Sequence, residues 1–223
     1  MEGIESRLFW IGHASFYLKS GDYTIFIDPF GVSSSISDRV KADLILVTHA
    51  HFDHFSKADI ERLSKDGTEI ITSTQTLEEK AGTKIAKPGY IGSFHGIKVE
   101  AVPAYNVKSE RLNFHPKSNQ WVGYVIEAGG ERVYHAGDTD MIPEMEGLRD
   151  IDYALLPMGG TYTMDADEMI KAAETINAKH VVPMHYKNLL GEEGSKKAEE
   201  RIRMKLSNAL FLKEVQKPTY SFQ

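Results

Sequence analysis

The 223-residue chain contains no cysteine, which excludes disulfides, thiolate nucleophiles and cysteine-ligated zinc together. Any transition-metal site must therefore be assembled from histidine and carboxylate. No stretch approaches the ~18 consecutive apolar residues of a membrane-spanning helix. The opening MEGIESRLFW has glutamates and no apolar run behind basic residues, so no secretion signal is read there and the cytoplasm is the expected compartment. A G-x-S-x-G elbow is also lacking, which removes the usual signature of a serine hydrolase. Positive charge is in short supply: 26 Lys and Arg against 32 Asp and Glu leave a net charge of -6, and nucleic acid is not an expected partner.

What remains is an ordinary globular composition, 41% hydrophobic and 26% charged, at a length that suits a single domain over residues 1–223. Residues 7–28 read as strand, Ser20-Gly21-Asp22 turn, strand. The apolar run Asp43–Thr48 reads as a strand covered on both faces, with His49 directly at its carboxyl end. Ser56 and Asp59 open a capped helix that stops at Gly67, followed by a strand over 68–73 and a short helix near 75–81. Further strands are expected over 97–104, 121–127, 131–135, 152–158 and 181–184, with Gly129-Gly130 as a hairpin turn. Residues 105–120 form a long polar loop, of the kind that is usually functional. Asp165 caps a helix to about Asn177, a final helix covers roughly 195–207, and the tail 209–222 is expected to add one edge strand. Two groups of strands, each followed by helices, point to an α/β four-layer sandwich of two mixed sheets with helices on both outer faces.

The densest signal is Thr48-His49-Ala50-His51-Phe52-Asp53-His54, four potential metal ligands at the end of a buried strand. Imidazole and carboxylate suit zinc and its neighbours manganese and iron. His49 and His51 project the same way from an extended segment, while Asp53 and His54 come from the turn after it, which divides the four between two adjacent ions.

This segment matches in full the H-x-H-x-D-H motif of the metallo-β-lactamase superfamily, which the chain resembles over nearly its whole length. The further carriers are Gly12-His13, Asp28-Pro29, Gly137-Asp138-Thr139 and Pro183-Met184-His185-Tyr186. The strings WIGHASF, VYHAGDTD, LLPMGGTYTM and VVPMHY look most like the branches containing L-ascorbate 6-phosphate lactonase and N-acylphosphatidylethanolamine phospholipase. The resemblance implies two divalent metal ions, zinc first and manganese or iron as alternatives. It implies that Asp138 bridges them, that His185 completes the second site, and that a hydroxide shared by the ions is the nucleophile, with Asp53 or Asp138 taking its proton. Related enzymes supply a third histidine to the first metal just after the strand that ends here at Ala104, where this chain has Tyr105-Asn106. His115, the one histidine of the long loop and held extended by Pro116, is the expected replacement.

The metal ligands read from the sequence are thus His49, His51, Asp53, His54, His115, Asp138 and His185. His13 reads as an outer hydrogen-bonding partner of a ligand, and His95 and His180 carry no expected role. Lys108, Arg111, Lys117 and Lys187 are candidate cations for an anionic small-molecule substrate, and amides of the Thr161-Tyr162 loop are candidates to receive an oxyanion. The expected activity is hydrolysis of a small cyclic ester or a phosphodiester. The rival readings are a metal-binding sensor or degenerate paralogue without catalysis and iron-based redox chemistry, and the oligomeric state is open, with a homo-oligomer compatible.

Overall fold

The computed structural model describes residues 4–74 and 82–217, and the chain divides into two compact units, Met1–Ala86 with Leu212–Gln223, and Lys87–Phe211. The helix expected near 75–81 lies outside the described residues.

In the first unit six strands form one mixed sheet in the order β1-β2-β3-β4-β5-β6. β1 (Leu8–Gly12), β2 (Ser15–Ser20) and β3 (Tyr23–Ile27) form an antiparallel meander, and β4 (Leu44–Val47), β5 (Glu69–Thr72) and β6 (Thr83–Ile85) continue it in parallel. The single strand expected before Ser20 is broken into two, because Gly12 (φ 146°) and His13 (φ 52°) turn the chain back. All of β4 is buried, as its unbroken apolar run requires of a strand covered on both faces. A short helix, α1 (Ser34–Ser37), and α2 (Lys57–Leu63) follow their strands. Ser56 Oγ accepts from Asp59 N at 3.2 Å to cap α2, which packs Ile60 and Leu63 against Phe26, Ile45, Val47 and Ile70.

The second unit holds the other mixed sheet, in the order β12-β11-β10-β9-β8-β7. β7 (Ile91–Phe94), β8 (Ile97–Pro103), β9 (Val122–Ala128) and β10 (Glu131–His135) run antiparallel, and β11 (Tyr153–Pro157) and β12 (His180–Met184) extend the sheet in parallel. Gly129 (φ 62°) and Gly130 (φ 82°) make the β9–β10 turn, where left-handed backbone favours glycine. α3 (Ala166–Ile176) opens on a complete capping box between Asp165 and Glu168. α4 runs from Lys187 to Lys205 and is broken at Gly191 (φ 65°, ψ −175°). The expected helix over 195–207 is its second segment, and the earlier turn was hidden because Gly191 interrupts the periodicity. Among the described residues the tail makes isolated bridges, Val181 with Ala209 and Trp10 with Glu214, in place of an edge strand. Two mixed sheets, each with its own helices, are the contents of the expected four-layer α/β class.

β4 ends directly before Thr48-His49 and β12 directly before His185, and only Ala136 separates the end of β10 from Gly137-Asp138, so the candidate ligands stand at strand ends, where loops carry chemistry on a rigid frame. Asp152 supports this frame at the opposite end of the second sheet. It accepts from Arg132 N at 2.7 Å and pairs with Lys179 Nζ at 2.6 Å. Burial pushes its carboxyl up, but the lysine and the backbone amide outweigh it and hold it below its ordinary 3.8. A depressed carboxyl contributes stability that is complete above the unfolded value and is lost as pH falls through the folded one. Asp152→Asn is therefore expected to lower the denaturation midpoint near neutrality and to flatten the loss of stability below about pH 4, measured by urea melts across the acid range.

Candidate metal centre

In the first unit the site is organised by Asp28. This residue directly follows β3, in the left-handed region (φ 46°) before Pro29, and it is fully buried. Oδ1 accepts from Thr48 N at 2.7 Å; Oδ2 accepts from Thr48 Oγ1 at 2.6 Å and from His54 Nδ1 at 2.7 Å. A hydroxyl has one proton, so Thr48, having donated to Asp28, accepts from His49 Nδ1 at 2.9 Å. One carboxylate thus places the ring proton of both His49 and His54 on Nδ1 and leaves Nε2 of each as a lone pair. His49 Nε2 lies 3.2 Å from His51 Nδ1. Asp53 Oδ2 lies 3.0 Å from Nε2 of the buried His13, and the ligand atoms of His13, Asp53 and His54 lie within 4.8 Å of one another. His13 thus faces the Asp53 carboxylate and belongs to a group of side chains that could hold a metal ion. Its carbonyl accepts from Trp10 Nε1 at 3.0 Å, which helps hold its left-handed backbone.

In the second unit the shared element is Asp138. Its Oδ2 lies 3.1 Å from His185 Nε2 and 3.2 Å from His115 Nε2, and all three side chains are buried. The long loop thus does bring His115 to Asp138. Asn106 sets the tautomer: Oδ1 accepts from His115 N at 3.0 Å and from its Nδ1 at 2.8 Å, while Nδ2 donates to Tyr162 O at 3.1 Å and so fixes which end of the amide is which. With its proton on Nδ1, His115 turns the Nε2 lone pair toward a carboxylate oxygen, an arrangement that calls for positive charge between the two. His185 adopts φ 57°. A Cβ on Gly159 would lie 2.5 Å from the His185 carbonyl oxygen, so the glycine lets the end of β11 approach the ligand.

Below this loop lies a buried ion cluster. Arg111, 3% exposed, pairs through Nε with Asp140 at 3.2 Å, binds both Glu168 oxygens at 2.8 Å, and donates to Thr163 O. Asp140 Oδ2 accepts from Val107 N at 2.8 Å and Lys108 N at 3.0 Å. Burial raises the Glu168 carboxyl, but bonds from Lys108, the Asp165 amide and Arg111 outweigh it and keep the group below the ordinary range, hence ionised. Three candidate cations for an anionic substrate are thus already engaged: Lys108 with Glu168, Arg111 with Asp140 and Glu168, and Lys117 with Glu144 at 3.0 Å. Next to Thr161, the loop contacts of Tyr162 and Thr163 run through carbonyls, and the Glu168 amide is taken by the Asp165 cap at 2.9 Å. His95 turns the β7–β8 hairpin at φ 45°, and His180 stacks on Tyr153 at 4.9 Å.

Sequence reasoning did not assign roles to Asp28, Thr48, Asn106 and Asp140. Asp28-Pro29 and VYHAGDTD were visible as strings, but a buried acceptor is recognised only once its donors are in place.

Within each unit the donors fit a divalent transition metal: neutral imidazoles with proton placement dictated from behind, and carboxylates facing imidazole nitrogens. These features define a metal-binding α/β protein. Residues 7–185 match the model of the beta-lactamase superfamily domain, and the chain belongs to that superfamily and, within it, to the UPF0173 metal-dependent hydrolases. It is 38% identical over 187 residues to a UPF0173 metal-dependent hydrolase of Thermus thermophilus, covering 79% of this chain and 82% of that one. It is 35% identical over 195 residues to one of Pyrococcus furiosus, covering 81% and 84%. A solved structure from Parabacteroides distasonis, assigned only provisionally as a metal-dependent hydrolase, matches with TM-score 0.81 and 34% identity over 94% of this chain and 93% of that one. Igni18, a metallo hydrolase of Ignicoccus hospitalis, matches with TM-score 0.72 and 25% identity over 95% and 94%. The chain is a metal-dependent hydrolase of the metallo-β-lactamase fold, with His and Asp groups able to bind metal. No helix among the described residues is long and apolar enough to cross a membrane.

Removing an outer hydrogen-bond partner of a metal-bound histidine typically costs 10–100-fold in affinity. Asn106→Ala is expected to weaken zinc binding by roughly that factor with little change in the folded circular dichroism spectrum. Competition against a chromophoric chelator measures it, and unchanged affinity would remove Asn106 from the site.

Proposed function

We propose that the chain is one catalytic domain that holds two divalent ions, zinc by preference, and hydrolyses a small cyclic ester or phosphodiester. His49, His51 and His115 would hold one ion, Asp53, His54 and His185 the other, and Asp138 would serve both. The observation that carries this reading is Asp138 Oδ2 standing 3.1 and 3.2 Å from the Nε2 atoms of His185 and His115, one oxygen shared between two imidazoles. When bound, such a pair of ions supplies Lewis acidity toward the scissile carbonyl or phosphoryl oxygen and makes hydroxide available near neutral pH.

The chain's own residues do the rest. Asp28, directly and through Thr48, keeps His49 and His54 in the tautomer that presents Nε2, and Asn106 does so for His115. Asp53, whose side chain is 14% exposed, is the carboxylate with access to solvent and would accept a proton at Oδ2, which lies 3.0 Å from His13 Nε2. Asp138, 3% exposed, is the more enclosed of the two carboxylates that could take that proton. The sensor and degenerate-paralogue alternative is disfavoured because every ligand position is filled and each imidazole with an outer partner has a defined tautomer.

The test is metal analysis followed by a screen of γ- and δ-lactones and bis-p-nitrophenyl phosphate. Close to two equivalents of zinc per chain are expected. Asp138→Ala should lower the affinity of both, His115→Ala that of one, and Asp53→Asn should keep the fold but weaken one site and, at saturating zinc, lose at least ~100-fold in kcat, the usual reach of a positioned acid–base group. A single equivalent that Asp138→Ala leaves in place would end the binuclear reading.

A further inference from the structure

We propose that the site takes a neutral ester carrying an apolar aryl or alkyl group, bound by the exposed Phe114–Tyr162 pair beside His115; this rests on the hydrolytic reading above. Five of the eight large apolar side chains exposed among the described residues, Phe52, Val107, Leu112, Phe114 and Tyr162, lie on segments that carry a candidate ligand or bind the residue that orients one. Exposed apolar residues scattered singly need no explanation, but a concentration on functional loops marks a binding surface.

The two units repeat the arrangement. In the first, Phe52 stands between His51 and Asp53, is 67% exposed, and meets Phe30 edge-on at 5.9 Å and 81°. In the second, Phe114 directly precedes His115 and meets Tyr162 edge-on at 4.8 Å and 86°, while Tyr162 O accepts from the Asn106 amide. Edge-to-face pairing holds each ring while leaving a face or rim to solvent. Nor is this surface a floppy loop end: Arg111, Asp140 and Glu168 anchor the segment from beneath. Of the four candidate cations, Lys108, Arg111 and Lys117 are each paired with a carboxylate, which weakens the case for an anionic group.

In the reaction, water adds across the acyl carbon–oxygen bond: the acyl carbon gains hydroxyl, the leaving oxygen gains a proton, and nothing is oxidised or reduced. The apolar group lies against the rings and makes no bond.

The experiment uses zinc-loaded protein and p-nitrophenyl acetate, butyrate and hexanoate beside bis-p-nitrophenyl phosphate. kcat/KM is expected to rise by up to roughly fourfold per added methylene, the worth of burying one CH2, and to exceed that for the phosphodiester. Phe114→Ala with Tyr162→Ala should flatten the chain-length dependence through KM. Met204→Ala, an exposed residue of α4, should change nothing. Binding of unreactive phenyl alkyl ketones, read by calorimetry, should tighten with chain length in the same way and weaken in the double variant.

A phosphodiester preferred over every ester, or ketone binding indifferent to chain length and to the double variant, overturns the inference while leaving the binuclear hydrolase intact. A double variant that alters the sedimentation coefficient but not the chain-length dependence overturns it too, making the patch a contact between copies. Zinc below two equivalents with ketone binding as expected would instead count against the metal reading alone.

Discussion

The carboxylate of Asp28 collects three hydrogen bonds in a site with no water contact, from Thr48 N, Thr48 Oγ1 and His54 Nδ1. A polar group buried this completely needs such partners, and here both of its oxygens are used behind the ligands. The same bonds tie the end of β3 to the segment leaving β4, and Asp28 N donates to Leu46 O at 2.9 Å, so sheet register and ligand tautomer have one origin. The left-handed backbone of Asp28 belongs to this arrangement. Strain of that kind persists only where surrounding contacts overdetermine it, and here its own side chain supplies them.

The second unit solves the same problem without a buried acid behind the histidine. Asn106 is neutral, yet its amide is oriented by Tyr162 O at one end and accepts two bonds from His115 at the other. The difference follows from where charge already stands. His115 and His185 face Asp138, and a further carboxylate on the far side of His115 would favour the imidazolium, which cannot bind a metal. An amide fixes the tautomer without adding a second negative charge beside the ring.

Much of this was legible in the sequence. The HAHFDH segment and the strand ends before Asp138 and His185 carry their meaning in residue type and spacing, because a dense cluster of imidazoles at a strand end has few other uses. The buried run of β4 and the Gly129-Gly130 turn were likewise visible. What stayed hidden depends on three-dimensional pairing. β6 and β7 are short, with a mostly half-exposed or exposed pattern, and an edge strand has no strong periodicity to betray it. Gly191 concealed the first turn of α4. Asp28 and Asn106 look like any turn residue until their donors are known, and Lys108, Arg111 and Lys117 looked like available cations until their carboxylates were found.

The placement of His115 turns on how a loop can be made accurate. Apolar contacts are non-directional and would hold the segment 105–120 near its sheet without aiming a ring nitrogen. Arg111 is directional: its planar guanidinium binds Glu168 through two 2.8 Å contacts and Asp140 through a third. Asp140 in turn orders the backbone of Val107 and Lys108, immediately after Asn106. The cluster pairs two cations, Lys108 and Arg111, with two carboxylates, so their desolvation is offset by attraction, although such groups rarely add net stability over an apolar core. Their value is in geometry. Asp140 lies two residues beyond Asp138, and its N–H donates to Tyr105 O at 3.0 Å; the loop that brings His115 and the turn that brings Asp138 are therefore built on the same salt bridge, and a shift in one would carry the other with it.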